Sequence, residues 1–161
     1  MRIAITLACA AMLAACGTSP KPLQGQFAAV QPEQAVASGS AGELVRWGGR
    51  IVEVRTEKLN SCFEIVGAPL DSSGRPRKVD SSTGRFIACR TGFYEPQVFA
   101  PGRELTISGH IESFETRKVG EYDYRYPRVA ADVVFLWPER RTMDLQYRPT
   151  FSFGLGWYDR W

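Results

Sequence analysis

The apolar positions of this chain fall into three regimes. From Ile3 to Leu13 they run almost unbroken behind one basic residue, Arg2. The run is well short of the roughly 20 apolar residues that a membrane-spanning helix needs, and no stop-transfer stretch follows, so it predicts a signal peptide over residues 1–15. From Gly17 to Gly42 the sequence is Ala, Gln, Gly, Ser and Pro without a sustained period. That composition predicts a flexible tether over residues 16–42, on the order of 28 Å in root-mean-square span. At most a short helical turn is expected within it, around Pro32–Ala37. After Gly42 the pattern changes to short runs of Val, Ile, Phe, Tyr and Trp broken by Gly, Pro, Ser and Asp, the mark of strands and turns.

Glu43–Lys58 reads as one long strand, with Gly48 and Gly49 predicting a bulge or sharp bend that lets it serve two sheet edges. Ser61–Val66 and Gly84–Thr91 are the second and third strands, joined by a polar loop over Asp71–Gly84 that carries DSSG and SSTG. Pro101 and Gly102 turn the chain into Glu104–Glu115, where Leu105, Ile107, Gly109 and Ile111 share one face and Thr106, Ser108, His110 and Glu112 the other. Arg128–Trp137 repeats the period. Five principal strands with a bent first strand predict an all-β fold: a small five- to six-stranded OB-like β-barrel over residues 43–138, with an open sandwich as second choice. Residues 139–161 form an aromatic-rich tail.

The apolar run ends in LAAC, at Leu13–Cys16. Leucine, two small residues and a cysteine resemble the lipobox of bacterial lipoproteins. Cleavage there leaves Cys16 as the first residue, with diacylglycerol on its sulfur and a further acyl chain on its nitrogen. Two acyl signals already anchor a protein stably, so the expected lipid partner is the membrane itself. Gly17 follows where an Asp would point to inner-membrane retention, so the outer membrane is favoured.

The whole chain carries 20 basic and 17 acidic residues. Such a balance, without a basic stripe, argues against a nucleic-acid partner. Cys62 and Cys89 remain beside the anchor in an oxidising compartment. If their strands pair antiparallel with Val66 opposite Arg85, Cys62 stands opposite Cys89, within reach of a disulfide.

Candidate chemistry is sparse. His110 is the lone histidine, and no nucleophile elbow accompanies it, so catalysis is not expected. No His or carboxylate cluster has metal-ligand spacing, and no cofactor is expected. Arg117 to Arg128 is the most concentrated polar and aromatic segment. Tyr122, Tyr124 and Tyr126 alternate there onto one face, and with Arg117, Lys118 and Arg125 they form the candidate ligand-binding set, toward an envelope glycan or protein partner. The competing reading is a β-hairpin whose tyrosines brace the barrel. The tail, with Tyr147, Phe151, Phe153, Trp157, Tyr158 and Trp161, is open to packing on the domain, to the membrane interface or to disorder.

Several stretches resemble the Slp family of bacterial outer-membrane lipoproteins: VRWGG at Val45–Gly49, SSGRP at Ser72–Pro76, GRF at Gly84–Phe86, APGRE at Ala100–Glu104, ETRKVGEYDYRYPRV at Glu115–Val129, and LWP at Leu136–Pro138. The cysteine pair and Arg128 depart from the family's usual pattern. The resemblance implies a lipid-anchored outer-membrane protein associated with starvation and stationary phase, and it supplies no catalytic residues. The expected role is therefore structural, envelope-stabilising or stress-associated and non-catalytic. The alternative is an OB-like binding module for glycan, lipid or peptide.

Overall fold

The computed structural model describes residues 19–140. Five strands follow one another: β1 (Leu44–Thr56), β2 (Asn60–Gly67), β3 (Arg85–Thr91), β4 (Glu104–Val119) and β5 (Tyr122–Leu136). They close into a barrel in the order β1-β2-β3-β5-β4, with β4 pairing back onto β1. All neighbours are antiparallel except β3 and β5, which run parallel through Ile87↔Arg128 and Cys89↔Ala130. Closure gives every strand two neighbours around the ring, where a flat sheet of the same strands would leave two of them at an edge. The expected OB-like all-β class is the observed one.

Inward positions on alternate residues fill the barrel. Val45, Trp47 and Ile51 from β1 meet Phe63 and Ile65 from β2, Phe86 and Ala88 from β3, and Leu105, Ile107 and Ile111 from β4, all at most 3% exposed. Trp47 and Phe86 make an edge contact at 5.3 Å between ring centroids. Each such side chain contributes roughly 1.5–3 kcal/mol by leaving water, so this row supplies most of the driving force.

β1 does serve two edges. Gly49 lies opposite Gly67 on one side and Leu105 on the other. The irregularity falls at Ile51/Glu53, however, and not at the two glycines. Those glycines meet a different requirement, close backbone approach: a Cβ on Gly49 would stand 2.0 Å from the Val66 carbonyl oxygen.

Residues 19–42 correct the expectation of a free tether ending at Gly42. A 3-10 turn at Lys21–Leu23 and a helix, α1 (Pro32–Ser38), pack on the barrel, with Leu23 and Ala35 fully buried. The segment is also tied by hydrogen bonds. Ala28 N donates to the Leu44 carbonyl at 2.8 Å, Glu33 N to that of Thr83 at 3.1 Å, and Trp47 Nε1 to that of Val30 at 2.7 Å. The buried anchors, Leu23 and then Pro32 and Ala35, create no sustained period, which is why the pattern reads as linker. The folded unit therefore begins ahead of Leu23, not at residue 43.

The second face of β4 is covered over its first half and opens to solvent at His110 and Glu112. Thr106 is fully buried and Ser108 5% exposed. Thr106 Oγ1 donates to the Gly74 carbonyl at 2.7 Å and accepts from Trp137 Nε1 at 2.9 Å, so the β2–β3 loop and the end of β5 cover it.

Candidate functional site

The segment singled out for binding is the tip of a long hairpin. β4 and β5 pair continuously out to Val119↔Tyr122, past the ends expected at Glu115 and Arg128, with Pro127 accommodated opposite Phe114. Opposed residues share a face, so the register sorts the candidate set. Arg117 stands opposite Tyr124, Val119 opposite Tyr122 and Glu115 opposite Tyr126, whereas Lys118 opposes Asp123 and Arg125 opposes Thr116. Tyr122, Tyr124, Tyr126 and Arg117 are thus together. Lys118 and Arg125 lie on the reverse side.

The tyrosines form a ladder of edge contacts, 6.4 Å from Tyr122 to Tyr124 and 5.0 Å from Tyr124 to Tyr126. Exposure falls along it, from 69% at Tyr122 to none at Tyr126. The inner rungs lie over the outer wall of β2 and β3, where Cys62, Ile87, Cys89 and Tyr126 make a second small core with Val119 and Tyr124 against it. Cys62 and Cys89 are bonded, and their register is the expected one, Cys62↔Cys89 with Val66↔Arg85. Tyr126 Oη donates to Glu64 Oε1 at 2.9 Å, Arg85 meets the same carboxylate oxygen at 2.8 Å, and Arg85 N donates to Tyr124 Oη at 3.0 Å. Burial, followed by the Glu64 carboxylate, pushes the Tyr126 hydroxyl up to about 12.

The hairpin's cations are occupied locally. Arg117 pairs with Glu115, Lys118 with Asp123 at 2.9 Å, and the Arg125 guanidinium lies 5.3 Å from the centroid of the Phe114 ring. Exposed pairs such as Lys118–Asp123 contribute little and leave the charges available.

A second polar cluster escapes the sequence reading. Arg75 Nε donates to Glu104 Oε2 at 2.7 Å, and Arg140 Nε meets both Glu104 oxygens at 3.2 Å. Arg75 also reaches the Pro138 carbonyl at 2.7 Å, Arg140 that of Pro76 at 2.8 Å, and Arg103 that of Trp137 at 3.2 Å. Three arginines thereby fix the chain as it leaves β5. Burial raises the Glu104 carboxyl, but the Arg75 and Arg140 bonds outweigh it and the net shift is downward. The stretches SSGRP, APGRE and LWP each contribute a member, so the signal was present in the motifs, though not their meeting point.

Two of the clefts on the surface of the described residues adjoin these elements. One, of about 580 Å³, lies between residues 25–31 and β1 and includes Phe27, Arg46, Trp47 and Leu70 in its walls. The other, of about 410 Å³, lies over the arginine cluster and adds Lys78 and Glu139. His110 is exposed, with Nδ1 3.0 Å from the Gly42 carbonyl, and neighbouring Ser108 is buried. Among the described residues no group of His, Cys, Asp or Glu is arranged to hold a metal, and no helix is long and apolar enough to cross a membrane. Cys16 and the aromatic tail lie outside the described residues.

Fold and site together define a disulfide-bonded, OB-like barrel of exported type whose polar clusters join strand to loop. The outer membrane lipoprotein Slp family matches residues 13–161, opening on the first residue of LAAC. The chain belongs to that family and is placed by it at the outer membrane. Among its relatives, an uncharacterized lipoprotein of Escherichia coli, YeaY, is 28% identical over 92% of this chain and 80% of its own. Outer membrane protein Slp of the same organism is 26% identical over 95% and 83%. An uncharacterized protein of Haemophilus influenzae is 34% identical over 63% and 56%. No solved structure gives a significant match.

Proposed function

We propose that this protein is a non-catalytic lipoprotein, acylated on Cys16, whose barrel serves a structural, envelope-stabilising role under starvation or stress. The observation that carries this reading is the internal use of its polar side chains. Glu64, Arg85 and Tyr126 tie the hairpin to β2 and β3, while Arg75, Glu104 and Arg140 tie the β2–β3 loop to the end of β5. Groups engaged in this way hold a shape. They are not aimed together at a substrate, as an acid–base pair or nucleophile must be.

The test is the double substitution Tyr124→Ala, Arg125→Ala. On the structural reading the domain loses stability and its envelope association falls in step. Unchanged stability with lost association instead supports a binding face.

The second reading, a module for glycan, lipid or peptide, is favoured by the 580 Å³ cleft beside Trp47. Its walls mix Phe27, Trp47 and Leu70 with Gln26, Gln31, Thr83 and one cation, Arg46, a lining that suits a small, largely polar ligand with an apolar part. Titrating Trp fluorescence with envelope glycans and short peptides separates the readings: a saturable change supports binding, and none supports the structural role.

A further inference from the structure

Ser19, the first residue described, is only three residues from Cys16. It is not free to wander. Its carbonyl accepts from Gln24 Nε2 at 2.7 Å, and a methyl on Gly74 would stand 3.3 Å from Ser19 Oγ and 3.8 Å from Leu23 Cδ1. Gly74 is covalently joined to Arg75, which opens the basic cleft. Three extended residues reach at most about 11 Å. An acyl group on Cys16 therefore keeps the Gly74–Lys78 loop close to the headgroups, without the slack a free tether would give.

Charge suits that position. Arg75, Lys78, Arg103 and Arg140 line the cleft against two carboxylates, Glu104 and Glu139. Arg77 and Lys78 are exposed on the same loop, as is Asp80, while Asp71 at its base is engaged by Ser73 and the Arg75 amide, so loop and cleft together carry five cations against four carboxylates. The excess is positive, and it faces a surface that is negative wherever phosphatidylglycerol-type lipids are present.

From these two observations we infer that the barrel docks by its Arg75–Lys78 loop and the cleft beside it onto anionic headgroups of the leaflet that holds the Cys16 acyl chains. β4 starts in this patch, at Glu104, and runs for 16 residues to Val119. Along the strand that is up to about 50 Å, so the tyrosine hairpin is held away from the membrane. The chain also leaves the barrel at this patch, through Arg140, ahead of a sequence rich in Tyr and Trp, which favour the headgroup region.

The inference rests on acylation of Cys16, and the experiment separates the two. The full lipoprotein is reconstituted into vesicles of phosphatidylethanolamine with about 30% phosphatidylglycerol, or of phosphatidylcholine alone, and its lysines are labelled with an amine-reactive reagent. Lys78 is expected to be protected in the anionic vesicles and not in the neutral ones, with Lys58 and Lys118 equally reactive in both. Protection of Lys78 should fade as salt is raised. Arg77→Glu changes the patch by two charges. At roughly fivefold per charge, it should lower the docked-to-free ratio about 25-fold, with an unaltered unfolding temperature. Equal reactivity of Lys78 and Lys118, or equal protection in neutral vesicles, overturns the docking. The mass of the amino-terminal peptide from the same sample reports acylation independently. If the acyl mass is absent, flotation with the anionic vesicles still decides for or against the patch.

Discussion

Arg75 and Glu104 stand 2.7 Å apart across a sequence separation of 29 residues, and both side chains are at least four-fifths buried. A charged hydrogen bond of this kind, with Arg140 on the same carboxylate, joins the β2–β3 loop, β4 and the end of β5. Glu104→Gln is expected to lower the unfolding free energy by about 1.5–3 kcal/mol near neutral pH, measured by urea denaturation.

The same carboxyl sets an acid limit. Its folded-state pKa lies below the ordinary 4.5, so its contribution is complete above that value and is lost as pH falls through the lower, folded value. The stability gap between the wild-type protein and Glu104→Gln should narrow steadily below about pH 4.5. A gap that stays constant into strong acid contradicts the assignment.

Tyr126 sets the opposite limit. Its hydroxyl is raised from 10.0 to about 12, so its stabilisation is present below pH 10 and is lost as pH rises through about 12. Ultraviolet titration should show one tyrosine ionising that late, and Tyr126→Phe should abolish that step. The variant should also cost about 1–2 kcal/mol near neutral pH through loss of the Glu64 hydrogen bond.

The disulfide spans 27 residues and closes the loop that carries Arg75. Replacing Cys62 and Cys89 together by Ser should destabilise the domain by about 3–4 kcal/mol in the chain-entropy description, without changing the β-sheet circular dichroism of the folded state.

Leu23→Ala tests whether the stretch ahead of β1 is part of the fold. Leu23 is fully buried, so truncation should cost about 2–4 kcal/mol and expose residues 19–30 to limited proteolysis. A neutral substitution would restore the free tether that the composition had suggested.

Much of the barrel was legible because its strands keep a strict two-residue period over a mixed face. Leu105, Ile107 and Ile111 announced β4, and the antiparallel register that sets Val66 opposite Arg85 also placed Cys62 opposite Cys89. What escaped depends on contacts distant in sequence. Leu23, Pro32 and Ala35 show no sustained period, yet each is buried. Thr106 looks like a solvent residue until the β2–β3 loop, through the Gly74 carbonyl, covers it. The candidate set did place the three tyrosines on one face. It failed to divide Arg117 from Lys118 and Arg125, because the strands run on to Val119 and Tyr122, through Pro127, and set a register that only the paired hairpin reveals.

The most direct measurement is mass spectrometry of the amino-terminal peptide of the mature protein extracted from the outer membrane. A first residue Cys16 bearing diacylglycerol and an additional acyl chain is the expected result. A chain that begins elsewhere, or Cys16 with a free thiol and an unmodified amine, would contradict the lipid anchor on which the proposed role depends.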